Sequence, residues 1–144
     1  MKPSQKLSVL LEPFYRKLRE IEVSAIKRHL PNGVTLGDVK MLRAVEHVGV
    51  SGVSAVAAYL DISQPAVTVA VCRLEERKLV ARLQNKDDGR KRALSPTAKG
   101  REVITAYRQA EEEMAEFILA PVADADRVKF VSSVDRLVKS TAMR

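Results

Sequence analysis

Apolar residues recur at steps of three and four over most of this 144-residue chain, the spacing of helices that bury one face. The first such pattern runs to about His29 and ends at the Pro-Asn-Gly sequence of residues 31–33. Thr35 stands three residues before Asp38, which is the spacing of a capping box, and begins a second helix that stops near Gly49. The pattern therefore predicts two amphipathic helices in succession.

Two more helices follow, with a tight turn between them. Residues 52–60 predict a short third helix, and Asp61-Ile62 interrupts it. Ser63 can cap the next helix by accepting a hydrogen bond from a free backbone N–H, and Pro65 falls in the first turn, where a missing N–H costs nothing. The inward positions of this fourth helix are Val67, Ala70, Val71 and Leu74. A short helix, a turn and a longer helix with a polar outer face form a helix-turn-helix.

A β-hairpin is predicted between residues 79 and 94. Asp88-Gly89 is a strong signal for a two-residue turn, because a type I′ turn needs positive φ at both positions. A turn at these residues would place Leu83 opposite Leu94 and bring both side chains to one face.

Two long helices complete the chain, from about residue 97 to 119 and from about residue 124 to 140. Together with the first helix they are too long and too apolar to be covered by so small a central unit. We therefore expect a mainly α fold with a small hairpin, in which residues 34–100 form a helix-turn-helix lobe that includes the hairpin. Residues 1–30 and 101–144 are then helices that pair with a second copy of the chain.

The charge distribution favours a polyanionic partner. The net charge is +7 and the sequence pI is about 9.8. Residues 63–101 hold ten Lys or Arg against four Asp or Glu, whereas residues 102–126 hold one Arg against seven acids. The basic residues are therefore concentrated around the fourth helix and the hairpin.

Several classes of protein and site do not fit this sequence. No apolar run approaches the roughly 20 residues of a membrane helix, and the first residues lack the pattern of a signal peptide. The single cysteine, Cys72, excludes an internal disulfide and a site of several thiolates. A reducing cytoplasm is the simplest compartment for a chain with one cysteine. No catalytic motif is present, so we expect a protein that is not an enzyme and needs no cofactor or metal.

A series of short motifs connects the helix-turn-helix to the hairpin and beyond. They are contained in VAAYLDISQPAVTVAVCRLEERKLVARL at residues 56–83 and DGRKRALSPTAKG at residues 88–100. A Ser-headed helix ends in Arg-Leu-Glu, and Asp-x-Arg is followed by Thr-x-x-Gly. In this order and spacing they resemble the MarR (multiple-antibiotic-resistance regulator) family.

The resemblance implies a homodimeric winged helix-turn-helix regulator of transcription, often a repressor. In that family the fourth helix enters the major groove, so the dimer would bind a near-palindromic operator in double-stranded DNA. A small aromatic or phenolic ligand often binds between the dimer helices and the DNA-binding lobe. Three residues depart from the family pattern: Lys78 replaces a usual Gly, Pro96 a frequent Leu, and Val69 a frequent polar residue.

Candidate base contacts lie near the start of the fourth helix. Gln64 and Thr68 are one turn apart and can bond base edges, although they could also form a merely solvated polar face. Ser63 is first a cap, and its hydroxyl can also meet a phosphate. Ala66 could contact a thymine methyl group or be an inert helix position.

The hairpin tip offers a second set of contacts. Arg90 and Arg92 could enter a narrow minor groove, and the family motif suggests that Asp88 orients the arginine. Lys86 and Lys91 are expected to meet phosphates as point charges. The alternative is a surface loop kept soluble by its charge.

Two residues later in the fourth helix have competing interpretations. Arg73 could reach a phosphate or pair with Glu75 or Glu76 of its own helix. Cys72 is expected to be a small buried apolar residue, with redox sensing as the alternative.

Four aromatic residues of the terminal helices are candidates for a ligand cavity, and ordinary packing is the alternative for each: Phe14, Tyr15, Tyr107 and Phe117. The competing functional hypothesis for the whole chain is a winged-helix module that binds protein rather than DNA. In that case the basic residues 63–101 would face an acidic partner or the acidic residues 102–126 of a second copy.

Overall fold

A computed structural model of the protein describes residues 1–84 and 92–141. The elements in chain order are α1 (Pro3–His29), α2 (Leu36–Val48), α3 (Val53–Leu60), α4 (Gln64–Glu76), β1 (Val80–Gln84), β2 (Arg92–Pro96), α5 (Ala98–Leu119) and α6 (Arg127–Lys139). Short 3₁₀ turns occupy Gly49–Ser51 and Asp124–Asp126. The strands form one antiparallel pair. The predicted mainly α fold with a small β-hairpin is confirmed.

Side-chain caps fix the starts of three helices. The Thr35 hydroxyl accepts a hydrogen bond from the Asp38 N–H at 3.1 Å, and the Asp38 carboxylate accepts one from the Thr35 N–H at 3.0 Å. This is the predicted capping box of α2. Ser63 and Thr97 each accept from the backbone N–H three residues further on, at 3.2 and 3.1 Å. Each cap occupies backbone donors that would otherwise lack a partner in the first turn.

The end of α4 accommodates Lys78 in a left-handed conformation, with φ of 61°. The Lys78 N–H donates to the Glu75 carbonyl oxygen and the Leu79 N–H to the Leu74 carbonyl oxygen, both at 2.9 Å. The Thr97 hydroxyl donates to the Lys78 carbonyl oxygen at 2.6 Å. The helix therefore ends as it would with the family's usual glycine, at the cost of a strained lysine.

The core lies between α2, α3, α4, the hairpin and the first half of α5. Its largest fully buried apolar side chains are Leu42, Leu74, Leu79, Leu94 and Ile104. Gly100 in the first turn of α5 faces the Leu79 carbonyl oxygen so closely that a Cβ atom there would collide with it. The Thr-x-x-Gly motif thus combines a helix cap with the small residue that lets α5 approach the end of α4.

The hairpin register differs from the predicted one by one residue. Leu83 pairs with Ala93, whereas the sequence predicted a Leu83–Leu94 pair. Leu94 is 1% exposed and enters the core, while Leu83 is 55% exposed on the other face. Burial of Leu94 thus determines the register, and the turn signal at Asp88-Gly89 does not. The proposed turn itself lies in residues 85–91, outside the residues that the structure describes.

The outer helices differ from this core in how little they bury. The Arg28 guanidinium and the His29 ring of α1 both contact the Glu113 carboxylate of α5, at 2.9 and 3.1 Å. No residue of α6 is buried, although the helix carries Val128, Phe130, Val131, Val134, Leu137 and Val138. Much of the apolar surface of the terminal helices is therefore uncovered within one chain.

Within residues 1–84 and 92–141, no single helix has both the length and the apolarity that a membrane crossing requires. Only α3 and α4 taken together, with a bend of 111° between them, meet that requirement by length and composition.

Candidate nucleic-acid interface

The two central helices have the relative orientation of a helix-turn-helix. α3 and α4 cross at 111°, and Asp61 at their junction adopts a left-handed conformation with φ of 54°. Val56 and Ala57 of α3 and Val67, Val71 and Leu74 of α4 point into the common core. The opposite face of α4 is consequently turned outward.

The outward face of α4 has a centre and two flanks. At about 100° per residue, Gln64 and Thr68 lie on one flank, and Ala66 and Arg73 lie on the other. All four residues are exposed. Val69, which is 71% exposed, lies between the flanks. The predicted contacts of α4 therefore share one accessible surface, and Val69 belongs to its centre.

Two hydroxyl groups of this surface are already engaged with the helix backbone. The Ser63 oxygen accepts the Ala66 N–H as a cap, and the Thr68 hydroxyl donates to the Gln64 carbonyl oxygen at 3.1 Å. A hydroxyl has one donor and two acceptor sites. Ser63 can still donate to a phosphate, and Thr68 can still accept from a base or present its methyl group.

Arg73 binds a partner that the sequence did not indicate. Its guanidinium donates to Asp38 Oδ1 at 2.8 Å, instead of pairing with Glu75 or Glu76. Arg77 donates to the other oxygen of Asp38 at 3.1 Å. The Asp38 carboxylate is 2% exposed, while the Arg73 side chain is 59% exposed. The last turns of α4 are thus tied to the first turn of α2.

The electrostatic environment keeps the Asp38 carboxylate ionised. Burial raises the pKa of Asp38, but the Thr35 backbone N–H, the Arg73 charge, the Thr35 hydroxyl and the Arg77 charge together lower it below its ordinary value. The only signal for this group in the sequence was its place in the capping box. Its partners are distant in sequence, so no local pattern connects them.

Glu75 and Cys72 face the hairpin side of α4. The Arg82 guanidinium of β1 donates to the Glu75 carboxylate at 2.6 Å, and this hydrogen bond raises the pKa of Arg82. Arg82 also lies 3.7 Å from the Cys72 sulfur, and Cys72 is exposed. The prediction of a buried cysteine is therefore wrong, because position 72 falls outside the stripe of Val67, Val71 and Leu74.

The last described pair on the tip side of the hairpin brings Arg92 close to the start of α4. Arg92 is exposed at the beginning of β2 and pairs with Gln84. A cleft of about 340 Å³ is lined in part by Ser51, Ser54, Gln64, Arg82 and Arg92. Four predicted contacts of the hairpin lie outside the described residues: Lys86, Asp88, Arg90 and Lys91.

A separate cleft lies among α1, α5 and the start of α6. It has a volume of about 630 Å³, and its apolar lining includes Phe14, Leu18, Ile21, Phe117 and Phe130. Two of the four aromatic candidates, Phe14 and Phe117, therefore contribute to it.

The other two aromatic candidates lie elsewhere. Tyr15 is exposed and does not line that cleft, although its ring lies 6.3 Å from that of Phe14. Tyr107 is buried, and the Arg43 guanidinium sits 4.7 Å from its ring centre. Burial raises the pKa of the Tyr107 hydroxyl. Packing between α2 and α5 therefore accounts for Tyr107.

No cluster suited to a metal ion is found in the described part of the chain. His29 contacts Glu113, and the His47 ring meets the Tyr59 ring edge-on at 5.6 Å. The two histidines thus have separate neighbours.

Comparison with known proteins places this geometry in a family. The model of the MarR family matches residues 26–91, from the end of α1 through α2, α3, α4 and β1. The matched segment, 66 of the 144 residues, is similar to the MarR family. Proteins of the MarR family are DNA-binding transcription regulators without enzymatic activity. No curated protein matches the chain in sequence.

Solved structures of the same fold cover nearly the whole chain. The YusO protein from Bacillus subtilis aligns with a TM-score of 0.78 and 22% identity, over 98% of this chain and 100% of that one. S. aureus MepR in a DNA complex aligns with a TM-score of 0.71 and 16% identity, over 91% of this chain and 96% of that one. A cysteine-to-serine mutant of MarR from E. coli aligns with a TM-score of 0.69 and 13% identity, over 96% of this chain and 97% of that one. The MarR fold therefore extends through the terminal helices.

Proposed function

We propose that this MarR-family chain is a cytoplasmic homodimeric repressor that binds a near-palindromic operator and is released from it by a small aromatic or phenolic ligand. The observation that carries DNA recognition is the outward face of α4. Gln64, Thr68 and Ala66 are exposed there and have Arg73 and Arg92 nearby. Such a face suits a major groove, where side chains meet base edges while neighbouring cations meet phosphates.

The contacts on α4 divide by chemistry. The amide of Gln64 can bond an adenine edge in two places, and Thr68 can bond an edge or touch a thymine methyl group. Val69 at the centre of the face would make an apolar contact with a thymine methyl group. Ser63 and Arg73 would bind phosphates, which set the position of the helix without reading sequence. S. aureus MepR, which has the same fold, has been solved in complex with DNA, which supports DNA binding by this fold.

The hairpin would supply the minor-groove contacts. Arg92 is exposed in the last described pair on the tip side, and Arg90 remains a proposed contact at the tip with Asp88 as its orienting partner. Lys86 and Lys91 remain proposed phosphate contacts. Because two chains of +7 each would carry +14, operator affinity should fall steeply with salt.

The uncovered terminal helices support a homodimer. Helix α6 has an apolar stripe of which no residue is fully buried within the chain, and the first turns of α1 likewise expose Leu7, Leu10 and Phe14. An amphipathic helix obtains most of its stability from packing that face. We propose that residues 1–30 and 101–144 pair with a second copy, and that residues 34–100 form the DNA-binding lobe. The two α4 helices would then lie roughly 34 Å apart, one turn of DNA.

The apolar cleft supports the ligand part of the proposal. Its volume of about 630 Å³ lies within the usual range for small-molecule sites, and Phe14, Phe117 and Phe130 line it. Ethidium-bound MepR, a structure of the same fold, is compatible with a cleft that accepts an aromatic molecule. A ligand there would release DNA only to the extent that it binds one spacing of the two lobes better than the other.

The experiment that tests DNA recognition is selection of bound sequences from a random duplex pool, followed by a mobility shift. We expect a near-palindromic site, and Gln64→Ala should weaken binding to it by about 1–3 kcal/mol because one base contact is lost. Gln109→Ala, at an exposed position of α5, is the matched control: with its oligomeric state verified by sedimentation, it should leave the affinity unchanged.

Absence of any duplex binding at low salt would refute the proposal and favour the protein-binding module. Binding with no preferred sequence would support the electrostatic contacts with phosphates but refute the recognition of bases by α4.

A further inference from the structure

We propose that Asp38 is a positioning residue for DNA recognition, which fixes α4 and its Arg73 side chain through a buried pair of ionic contacts. The inference rests on the proposed DNA-binding function and extends it to a residue outside the helix-turn-helix surface. Asp38 lies in the first turn of α2, and the sequence indicated only its capping role.

Both oxygens of the buried carboxylate have partners. Oδ1 accepts from Arg73 at 2.8 Å, and Oδ2 accepts from Arg77 at 3.1 Å and from the Thr35 N–H at 3.0 Å. A carboxylate that is 2% exposed must be compensated in this way, because an unpaired buried charge is very costly. The position of Asp38 is therefore determined by three donors, two from the α4 side and one from the cap of its own helix.

The two arginines come from the same side of α4. Arg73 and Arg77 are four residues apart, so they lie one above the other on the helix. The inward side chains Val67, Val71 and Leu74 hold α4 against the core, but apolar contacts have no preferred direction. The two hydrogen-bonded ion pairs with Asp38 do have one, so they restrict the rotation of α4 about its axis more narrowly than its apolar stripe does.

Arg73 connects this buried group to the outward face. Its side chain is 59% exposed, and among the described residues its guanidinium contacts Asp38 through one nitrogen. A guanidinium has five N–H donors in a rigid plane. The donors directed away from Asp38 can meet a phosphate. The ion pair already restricts the conformations of the Arg73 side chain, so less conformational entropy would be lost when Arg73 binds DNA.

The test compares Asp38→Asn with Glu113→Gln in operator binding. Asn keeps the shape of Asp38 and an oxygen for the Thr35 N–H, but it loses the charge that holds the arginines. Glu113→Gln removes one negative charge and a two-partner ion pair as well, at Arg28 and His29 between α1 and α5. The two variants therefore have the same net charge.

We expect Asp38→Asn to weaken operator binding about ten-fold at fixed salt, because interacting residues of one network couple by this order. Glu113→Gln, once sedimentation shows that its oligomeric state equals that of the unchanged protein, should bind as the unchanged protein does or slightly more tightly. Circular dichroism at the assay temperature must show both variants folded.

A double mutant separates positioning from a general loss of stability. If Asp38 acts through Arg73, adding Asp38→Asn to an Arg73→Gln protein should change the affinity by less than about three-fold. A purely structural effect would weaken binding by the same factor in both backgrounds. If Asp38→Asn does not fold, Arg77→Gln replaces it, since Arg77 shares the same carboxylate, and it should weaken binding several-fold.

The results distinguish the two levels of the proposal. No operator binding by the unchanged protein would overturn the DNA-binding function itself. Operator binding by folded Asp38→Asn that equals binding by Glu113→Gln would overturn the positioning role alone, as would equal effects in the two arginine backgrounds.

Discussion

The central lobe (residues 34–100) and α6 are both rich in apolar residues, but they use them differently. Leu42, Leu74 and Leu94 of the central lobe are fully buried within one chain, whereas Leu137 of α6 is 73% exposed. The hydrophobic effect rewards burial wherever it occurs, so covering the exposed stripe of α6 would stabilise that helix. One sequence thus encodes a core that is completed by folding and a second apolar surface that stays exposed within the single chain.

Truncating a core leucine should have the largest effect on stability. Leu74→Ala would remove a fully buried side chain where α4 meets the core, and we expect it to lower the free energy of unfolding by about 3 kcal/mol. Leu83→Ala on the exposed face of β1 is the matched control and should cost less than about 1 kcal/mol. Urea titrations at equal protein concentration measure both values. If the two substitutions lowered the free energy of unfolding equally, Leu83 would be as buried as Leu74. That result would contradict both the hairpin register and the position of the core.

The same truncation in α6 should act on assembly. We expect Leu137→Ala to raise the dimer dissociation constant about ten-fold, since truncating a buried interface anchor commonly costs more than 1 kcal/mol. Alanine preserves helix propensity, so the helical content should stay the same. Sedimentation over a concentration series measures the constant, and Leu83→Ala again serves as the control. A monomeric unchanged protein, or a dimer insensitive to Leu137→Ala, would show that α6 is not the interface.

Local rules predicted the helices of this fold well. Thr35, Ser63 and Thr97 each cap the helix expected to begin after them, because a cap depends only on residues three positions apart. The position of Cys72 could also have been predicted. The stripe of Val67, Val71 and Leu74 already placed residue 72 on the outer face, and the general preference of cysteine for burial was the weaker guide.

Contacts between distant segments were not predictable in the same way. The hairpin register follows from burial of Leu94 in the core, which the turn sequence cannot report. The pairing of Arg73 and Arg77 with Asp38 depends on how α2 and α4 pack, and two glutamates of α4 were equally reasonable partners by spacing. The exposed residues of α4 were thus predictable from the periodicity of one helix. The contact of Arg73 with Asp38 was not, because it depends on a second helix.

The smallest effect should come from the strained residue between α4 and β1, where the central lobe departs from local preference. Lys78 has φ of 61°, a conformation that costs an ordinary residue about 1–2 kcal/mol and glycine almost nothing. Glycine also makes the unfolded chain more flexible, which offsets part of the gain. Lys78→Gly should therefore raise the free energy of unfolding by about 0.5–1 kcal/mol, measured by urea titration, and leave the dimer dissociation constant unchanged.

Asp61→Gly is the matched comparison at φ of 54°, and its gain should be smaller because aspartate tolerates this region better. If both substitutions destabilised the protein equally, the flexibility of the unfolded chain would outweigh the strain at both turns, and the central lobe would lose nothing by keeping its lysine.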